Sequence, residues 1–239
     1  MIFERRAYTP RPGKGRLFFE AQERTGYPKN PLWDHKVSYF NALSGPTDQI
    51  VHYWTYEDLG EWQATYDVVY SNEMVQEYLG HVRPLFLKQG YEFFAPAPIE
   101  QLSPYFSDDK RWTVGDPPIA DFEEQPELVV EEQIISLNPG ALPDYWEAYR
   151  AHGLAATQDI SESLIGVFRT LLGTQYQVLI LRWHQNLCQM SASNAALRQS
   201  SAWQAFQDAI TPMVSEQHTQ ILSPWAVPQM APLFYKGVS

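Results

Sequence analysis

Several residues near the N-terminus carry side chains suited to handling protons, anions or aromatic ligands. They are Glu4, Arg6 and Tyr8 in the segment IFERRAYTP, and His52, Trp54 and Tyr56 in the segment IVHYWTY. In an extended strand, residues two apart share a face, so each trio presents its side chains together. An imidazole exchanges protons near neutral pH, and a guanidinium binds carboxylate or enolate oxygens through paired hydrogen bonds. The pattern favours a site for a small aromatic compound or an oxo acid.

Each residue of this set has a predicted role. We predict three catalytic residues: His52 as acid or base, Glu4 as the group that orients it or itself exchanges a proton, and Arg6 as the ligand of a carboxylate or enolate. The predicted substrate-binding residues are Tyr8, Tyr39, Asn41, Trp54, Tyr56, Arg169, Arg182 and His184. The alternative is structural, with His52 as a hydrogen-bonded core residue and Glu4 and Arg6 as charge partners.

A metal or haem site has less support in the sequence. His52 and His184, with Glu4 or Glu131, supply the donor types of a site built from two histidines and a carboxylate. The chain has no HExxH or HxH motif, however, and no GxSxG motif of a serine hydrolase. We therefore expect no cofactor, and a haem- or metal-dependent enzyme is the lesser alternative.

The elements that must position these residues occur twice in the chain. At an offset of 128, residues 37–60 align without a gap with residues 165–188. The matched pairs include Phe40 with Phe168, Gly45 with Gly173 and Leu59 with Leu187, and at an offset of 127 Pro12-Gly13 matches Pro139-Gly140. A collinear set of matches over the whole length indicates an internal duplication.

Each copy has the predicted order β-α-β-β-α-β of a ferredoxin-like unit. The predicted helical stretches are 13–25, 58–70 and 72–88 in the first copy, and 140–153, 187–198 and 201–218 in the second. First strands are predicted over 2–9 and 128–136, and last strands within YEFFAPAP and TQILSPWAVP. The predicted divisions are a first repeat over 1–100, a linker over 101–127 rich in Pro, Asp and Glu, and a second, divergent repeat over 128–239.

Two ferredoxin-like sheets have one free face each, and the copies can cover each other. We predict that the antiparallel sheets pack into one barrel within the chain, with α+β architecture. The face carrying Glu4, Arg6 and His52 is predicted to point into the barrel interior, where Arg169 and Arg182 would join it. The opposite face, which includes Phe168, is predicted to pack under the helices.

The composition of the chain excludes several classes of ligand and site. The chain has 239 residues and a formal net charge of -11, which excludes a nucleic-acid backbone as its main ligand. A single cysteine excludes a disulfide framework within the chain and a zinc site built from cysteines. Residues 1–10 lack the apolar run of a signal peptide, and no stretch is long and apolar enough to span a membrane, so we expect a cytoplasmic chain.

The motifs resemble those of the NIPSNAP family. MIFERRAYTPRPGK is similar to the family's first strand and Pro-Gly corner, and GPTDQIVHYWTYEDL to its Gly turn and V-x-H-x-W-x-Y strand. The second half departs from the pattern: Gln133 and Ile135 replace the Arg and Tyr, and Ile180, Arg182 and His184 replace the His, Trp and Tyr. A site built from the motif is therefore expected to be asymmetric and to depend on the first half.

The resemblance implies a dimeric α/β-barrel fold, formed here by the two repeats of one chain. That superfamily includes cofactor-free monooxygenases, polyketide cyclases, isomerases and haem-binding enzymes. We predict a small-molecule pocket in the barrel interior and a cofactor-independent acid–base activity, such as that of an isomerase, lyase or monooxygenase. The alternative is a non-catalytic interaction or scaffold protein, and a homodimer is a further candidate assembly.

Overall fold

The computed structural model describes residues 1–25, 32–46, 48–107 and 110–238. Thr47 of the predicted Gly turn and residues 108–109 of the predicted linker lie outside the described residues. The strands are β1 Ile2–Pro10, β2 Lys36–Ala42, β3 Ile50–Tyr56, β4 Phe86–Pro96, β5 Val129–Leu137, β6 Leu164–Leu172, β7 Gln177–His184 and β8 Val214–Pro224. The helices are α1 Gly15–Thr25, α2 Leu59–Ser71, α3 Glu73–Val82, α4 Leu142–Ala148, α5 Leu154–Ala156, α6 Leu187–Gln199 and α7 Ser201–Ile210, with a π-helical turn, Tyr149–Gly153, between α4 and α5.

The strands close into one antiparallel barrel in the order β1-β3-β2-β8-β5-β7-β6-β4. The first repeat supplies the neighbours β4-β1-β3-β2, and the second repeat supplies β8-β5-β7-β6 in the same relative order. The two sheets join at β2–β8, where Phe40 pairs with Pro224, and at β4–β6, where Pro96 pairs with Phe168. The predicted fold, a barrel formed by two tandem ferredoxin-like repeats, is confirmed.

The helices of the two repeats begin and end at equivalent positions, as expected for a duplication. The Asp58 carboxylate accepts a hydrogen bond from the Glu61 backbone N–H, and the Asn186 side chain accepts one from Gln189 in the second repeat. These caps satisfy backbone donors that have no partner within the helix. The predicted helices 72–88 and 201–218 were too long, because each ends near a proline, Pro84 or Pro212, that opens a short 3₁₀ turn. The strands β4 and β8 therefore begin earlier than predicted.

The two faces of the sheet are reversed relative to the prediction. Phe3, Val51, Phe168 and Leu179 form one cluster from both repeats inside the barrel. Trp54, Tyr39 and Tyr56 instead pack against α1–α3, in the layer between sheet and helices. The barrel interior is enclosed by strands on every side, so it takes the face that is most apolar in both repeats. The polar face of β1 and β3 lies under the helices of its own repeat.

One buried ion pair joins the two repeats inside the barrel. The Arg5 Nε and Nη2 atoms donate to the two Glu132 carboxylate oxygens, each at 2.7 Å, and the Tyr53 hydroxyl donates to the same carboxylate. Burial alone would raise the pKa of the Glu132 carboxyl, but Arg5 and the hydrogen bonds hold it below its ordinary value. Phe3 stacks on Phe168 at 4.1 Å beside this group. The interior is thus a packed core rather than a ligand pocket.

The segment that follows each repeat crosses to the other repeat. Ile99 and Leu102, after β4, pack in the helical layer of the second repeat. Trp225, after β8, stacks on Phe19 of α1 at 3.3 Å in the layer of the first repeat. Phe106 of the predicted linker and Phe234 are fully buried in the barrel core. These crossings make each helical layer depend on both repeats.

Candidate functional site

The motif residues of β1 and β3 form a buried polar cluster beneath α2 and α3. The Arg6 Nε and Nη2 atoms donate to the Glu4 carboxylate at 2.9 and 2.7 Å, and both residues are buried. The guanidinium lies over the Trp54 ring at 4.8 Å and over the Tyr66 ring at 5.4 Å. The predicted charge pair is present, and its aromatic surroundings favour the cation.

His52 has one ring nitrogen occupied and the other unpaired. The Trp54 Nε1–H donates to His52 Nδ1 at 2.7 Å. An indole nitrogen can only donate, so Nδ1 must accept, and the proton of the neutral ring is on Nε2. That Nε2 atom is buried without a hydrogen-bond partner among the described residues. Tyr39 stacks on the imidazole at 4.2 Å and Tyr8 meets it edge-on at 4.7 Å, which fixes the ring plane.

The surroundings keep His52 neutral. Burial lowers the pKa of the imidazole well below its ordinary value, and the nearby cations Arg6, Lys36 and Arg5 lower it further. Arg6 and Arg5 are each paired with a carboxylate, Glu4 and Glu132, and burial lowers the pKa of Lys36 to about 7. The site therefore offers an oxygen that develops negative charge hydrogen-bond donors rather than net positive charge.

A small cavity is lined in part by His52. Its volume is about 70 Å³, and it is bounded by the sheet and by α1 and α3. The predicted residues that line it are Arg6, Tyr8, Tyr39, His52 and Trp54. A cavity of roughly 150 Å³ holds benzene, so this one in its described state suits a smaller molecule. Gln22 and Gln89 add amide groups to its wall.

The other predicted binding residues lie elsewhere. The Tyr56 ring stacks on His35 at 4.5 Å, and Glu4 lies behind Arg6. Asn41 lines a separate cleft beside Trp225. The predicted convergence of Arg169, Arg182 and His184 with Arg6 is wrong, because the helix-side faces of the two repeats lie outside the barrel, on opposite sides of its core.

The equivalent layer of the second repeat has different chemistry. Glu131, the counterpart of Glu4, is 3.4 Å from His184 Nε2 and accepts a hydrogen bond from Asn194 at 3.2 Å. Gln133 stands where Arg6 would. The cavity that corresponds to the His52 cavity measures only about 20 Å³. The expected asymmetry of the two halves is present in the structure.

Several residues around these cavities were not predicted from the sequence. Gln22 of α1 and Gln89 of β4 line the first cavity, the Tyr66 ring of α2 lies over Arg6, and Tyr149, Thr157 and Gln158 line a cleft in the second repeat. Aromatic spacing marked the helices as amphipathic, but a period alone does not show which residue faces a cavity rather than core.

In residues 1–25, 32–46, 48–107 and 110–238, no three His, Cys, Asp or Glu side chains are grouped to hold a metal ion. His52 and His184 belong to different layers. None of the helices in these ranges is long and apolar enough to cross a membrane.

Comparisons with known proteins point to one family. The sequence profile described as NIPSNAP matches residues 3–101 and 130–228. An uncharacterized NIPSNAP-like domain protein from Burkholderia xenovorans is 26% identical, with a TM-score of 0.40, and the match covers 42% of this chain and 88% of that one. A NIPSNAP family protein from Agrobacterium tumefaciens is also 26% identical, with a TM-score of 0.41 and coverage of 43% and 90%.

A third structure matches nearly the whole chain. It is a putative monooxygenase from Lactobacillus acidophilus, with a TM-score of 0.58, coverage of 93% of each chain and 7% sequence identity. At that identity the likeness concerns the fold alone. Among curated proteins, none matches the chain.

Proposed function

The chain belongs to the NIPSNAP family, with one copy of the domain in each half, and we propose that it binds a compact 2-oxo acid in the cavity of its first repeat. The observation that carries this proposal is that His52, whose buried Nε2–H has no partner among the described residues, is one of the residues that line the cavity. A buried donor without a partner costs free energy, and a ligand oxygen would remove that cost.

The hydrogen-bond donors around the cavity support a ligand with carbonyl and carboxylate oxygens. Arg6 uses Nε and Nη2 on Glu4, which leaves further N–H groups of its guanidinium for the cavity that it lines. Together with His52 Nε2–H and the Tyr8 hydroxyl, these donors suit a carbonyl or carboxylate oxygen. The volume of about 70 Å³ favours a compact molecule over an aromatic one.

The proposed role of His52 is to donate a hydrogen bond that polarises the ligand. Its Nδ1 lone pair is occupied by Trp54, and its pKa lies well below neutrality. A neutral imidazole N–H stabilises negative charge on a carbonyl oxygen without transferring a proton. Acid–base catalysis with His52 as the base would require the Trp54 hydrogen bond to break, and it is the narrower form of this proposal.

A second candidate is a non-catalytic interaction protein. The observation that favours it is the packed barrel interior, combined with apolar residues exposed on α2 and α3. Val68, Tyr70 and Met74 are each about half exposed, at 52, 53 and 49%. Binding of an oxo acid separates this candidate from the first.

The test compares two substitutions of His52 in glyoxylate binding, measured by isothermal titration calorimetry. His52→Asn retains an acceptor near the Nδ1 position for Trp54 but removes the Nε2 donor, whereas His52→Gln places an amide donor near Nε2. We expect glyoxylate to bind the wild type, the Asn variant to bind at least about tenfold more weakly, and the Gln variant to lie between them.

Phenylpyruvate is the size control, since its ring exceeds the cavity. Equal glyoxylate affinity in the wild type and His52→Asn, or no glyoxylate binding by the wild type, would contradict the proposal.

A further inference from the structure

A larger cleft opens in the helical layer of the second repeat. Its volume is about 330 Å³, which lies at the lower end of the range for small-molecule sites. The cleft is formed between the π-helical turn, the 3₁₀ turn over Gln158–Ser163, and the segment after β4 that crosses from the first repeat. It therefore exists only because both repeats contribute to it.

One buried cation at the wall of this cleft makes no hydrogen bond to the described residues. Arg182, on β7, is 7% exposed and lines the cleft. Its guanidinium makes no hydrogen bond, and no ion pair within 4.0 Å, with any residue in the described ranges. Buried arginines are normally paired, because desolvating an unpaired charge is costly.

Glu131 attracts this arginine through space, since Arg182 helps to hold the pKa of its carboxyl below the usual value, but it accepts no hydrogen bond from it. Glu131 pairs with Arg182 in strand register, yet its carboxylate contacts His184 and Asn194 instead. In the first repeat, the equivalent acid Glu4 is bound by Arg6, and Trp54 occupies the position of Arg182. The second repeat has thus moved its arginine from the strand of the acid to the neighbouring strand, where it faces a cleft.

The rest of the wall fixes the chemical class of the ligand. Leu102, Leu154, Ile160 and Leu164 give apolar surface, and Thr157 and Ser161 add hydroxyl groups. A single cation in a mainly apolar cleft matches a ligand with one carboxylate and an apolar body.

We propose that this cleft binds a monocarboxylate with an apolar chain, such as a medium-chain fatty acid, whose carboxylate pairs with Arg182. The site is separate from the His52 cavity, and this proposal does not depend on the function proposed for that cavity. The two proposed ligands differ as the walls of their sites do: the ligand of this cleft is long and apolar, and the ligand of the His52 cavity is compact and polar.

Octanoate is the probe, and 1-octanol is its uncharged match. Binding is measured by isothermal titration calorimetry and by the thermal unfolding midpoint. We expect octanoate to bind the wild type and raise its midpoint, and 1-octanol of equal chain length to bind at least about tenfold more weakly, because a charge-assisted hydrogen bond contributes that much.

Variants assign the effect to the arginine. Arg182→Gln should weaken octanoate binding at least about tenfold, while Arg182→Lys, which keeps the charge but not the paired donors, should lose less. Arg198→Gln, with the same charge change at an exposed position on α6, is the control and should bind as the wild type does.

Three results would overturn the proposal: no octanoate binding by the wild type, equal affinity in Arg182→Gln and the wild type, or equal affinity for 1-octanol and octanoate. Circular dichroism of Arg182→Gln shows whether it is folded. If it is not, Arg182→Lys and the comparison with 1-octanol still decide.

Discussion

At position 52, a neighbour two residues along the strand decides what the histidine can do. The sequence places His52 and Trp54 on one face, and in the structure the Trp54 Nε1–H donates to His52 Nδ1. The tautomer was not predictable, because it depends on the indole N–H reaching Nδ1, a matter of side-chain rotation rather than spacing. The glyoxylate binding proposed above depends on that one hydrogen bond.

The lowered pKa of His52 should make stability depend on pH. The unfolded chain binds a proton at this residue below its ordinary pKa of about 6.5, while the folded chain does not. The contribution of His52 to the free energy of unfolding is therefore fully present above pH 6.5 and decreases as the pH falls below that value. We expect the denaturant midpoint of the wild type to decrease between pH 7 and pH 5, and that of His52→Gln to decrease less.

His35 provides a check on this assignment, since burial also lowers its pKa. It should produce a remaining slope of the same sign in His52→Gln. Identical slopes for the wild type and His52→Gln would contradict the lowered pKa of His52.

At the scale of elements, most strands and the start of each helix followed from local sequence signals. The Pro-Gly corners at 12–13 and 139–140 lie between the first strand and the first helix of each repeat, as predicted. The π-helical turn was not predictable, because Tyr145 and Tyr149 have ordinary helical spacing. The face of each strand was also assigned wrongly, since alternation separates two faces but does not say which of them meets the other repeat.

Gly153 in that turn is predicted to be indispensable to the second cleft. A Cβ atom there would lie 2.6 Å from the Tyr149 ring, which is buried and lines the cleft. We expect Gly153→Ala to lower the free energy of unfolding by about 1–3 kcal/mol through overpacking and to weaken octanoate binding. Urea denaturation and calorimetry provide the two measurements.

Gly80 offers a matched control, because a Cβ atom in that helix would meet nothing within 4 Å. Gly80→Ala should be neutral or stabilise the chain by up to about 1 kcal/mol. A Gly153→Ala variant as stable as Gly80→Ala would contradict the close packing of Tyr149 against the turn.

At the scale of the whole molecule, duplication within one chain has allowed equivalent positions to differ. Arg5 and Glu132 occupy the same place in the two repeats and bind each other in the barrel core. Two identical subunits would bring like charges together there, at a cost of several kcal/mol. The same freedom separates the two helical layers, one with a neutral donor at His52 and the other with a cation at Arg182.

The duplication and the barrel were predictable because matched residues recur along the whole chain. Which layer holds each site was not, because it depends on the packing of one repeat against the other. The crossing segments, such as Trp225 on Phe19, gave no sequence signal beyond a short apolar run.

The most direct test of these two unequal sites is ¹⁵N NMR of the imidazole groups in the intact protein, with the His52 signal identified by its loss in His52→Gln. We expect a neutral ring at pH 5.5 with its proton on Nε2. We also expect the Nε2 signal to move when glyoxylate is added but not when octanoate is added. A protonated ring, a proton on Nδ1, or a signal that glyoxylate leaves unchanged would contradict it.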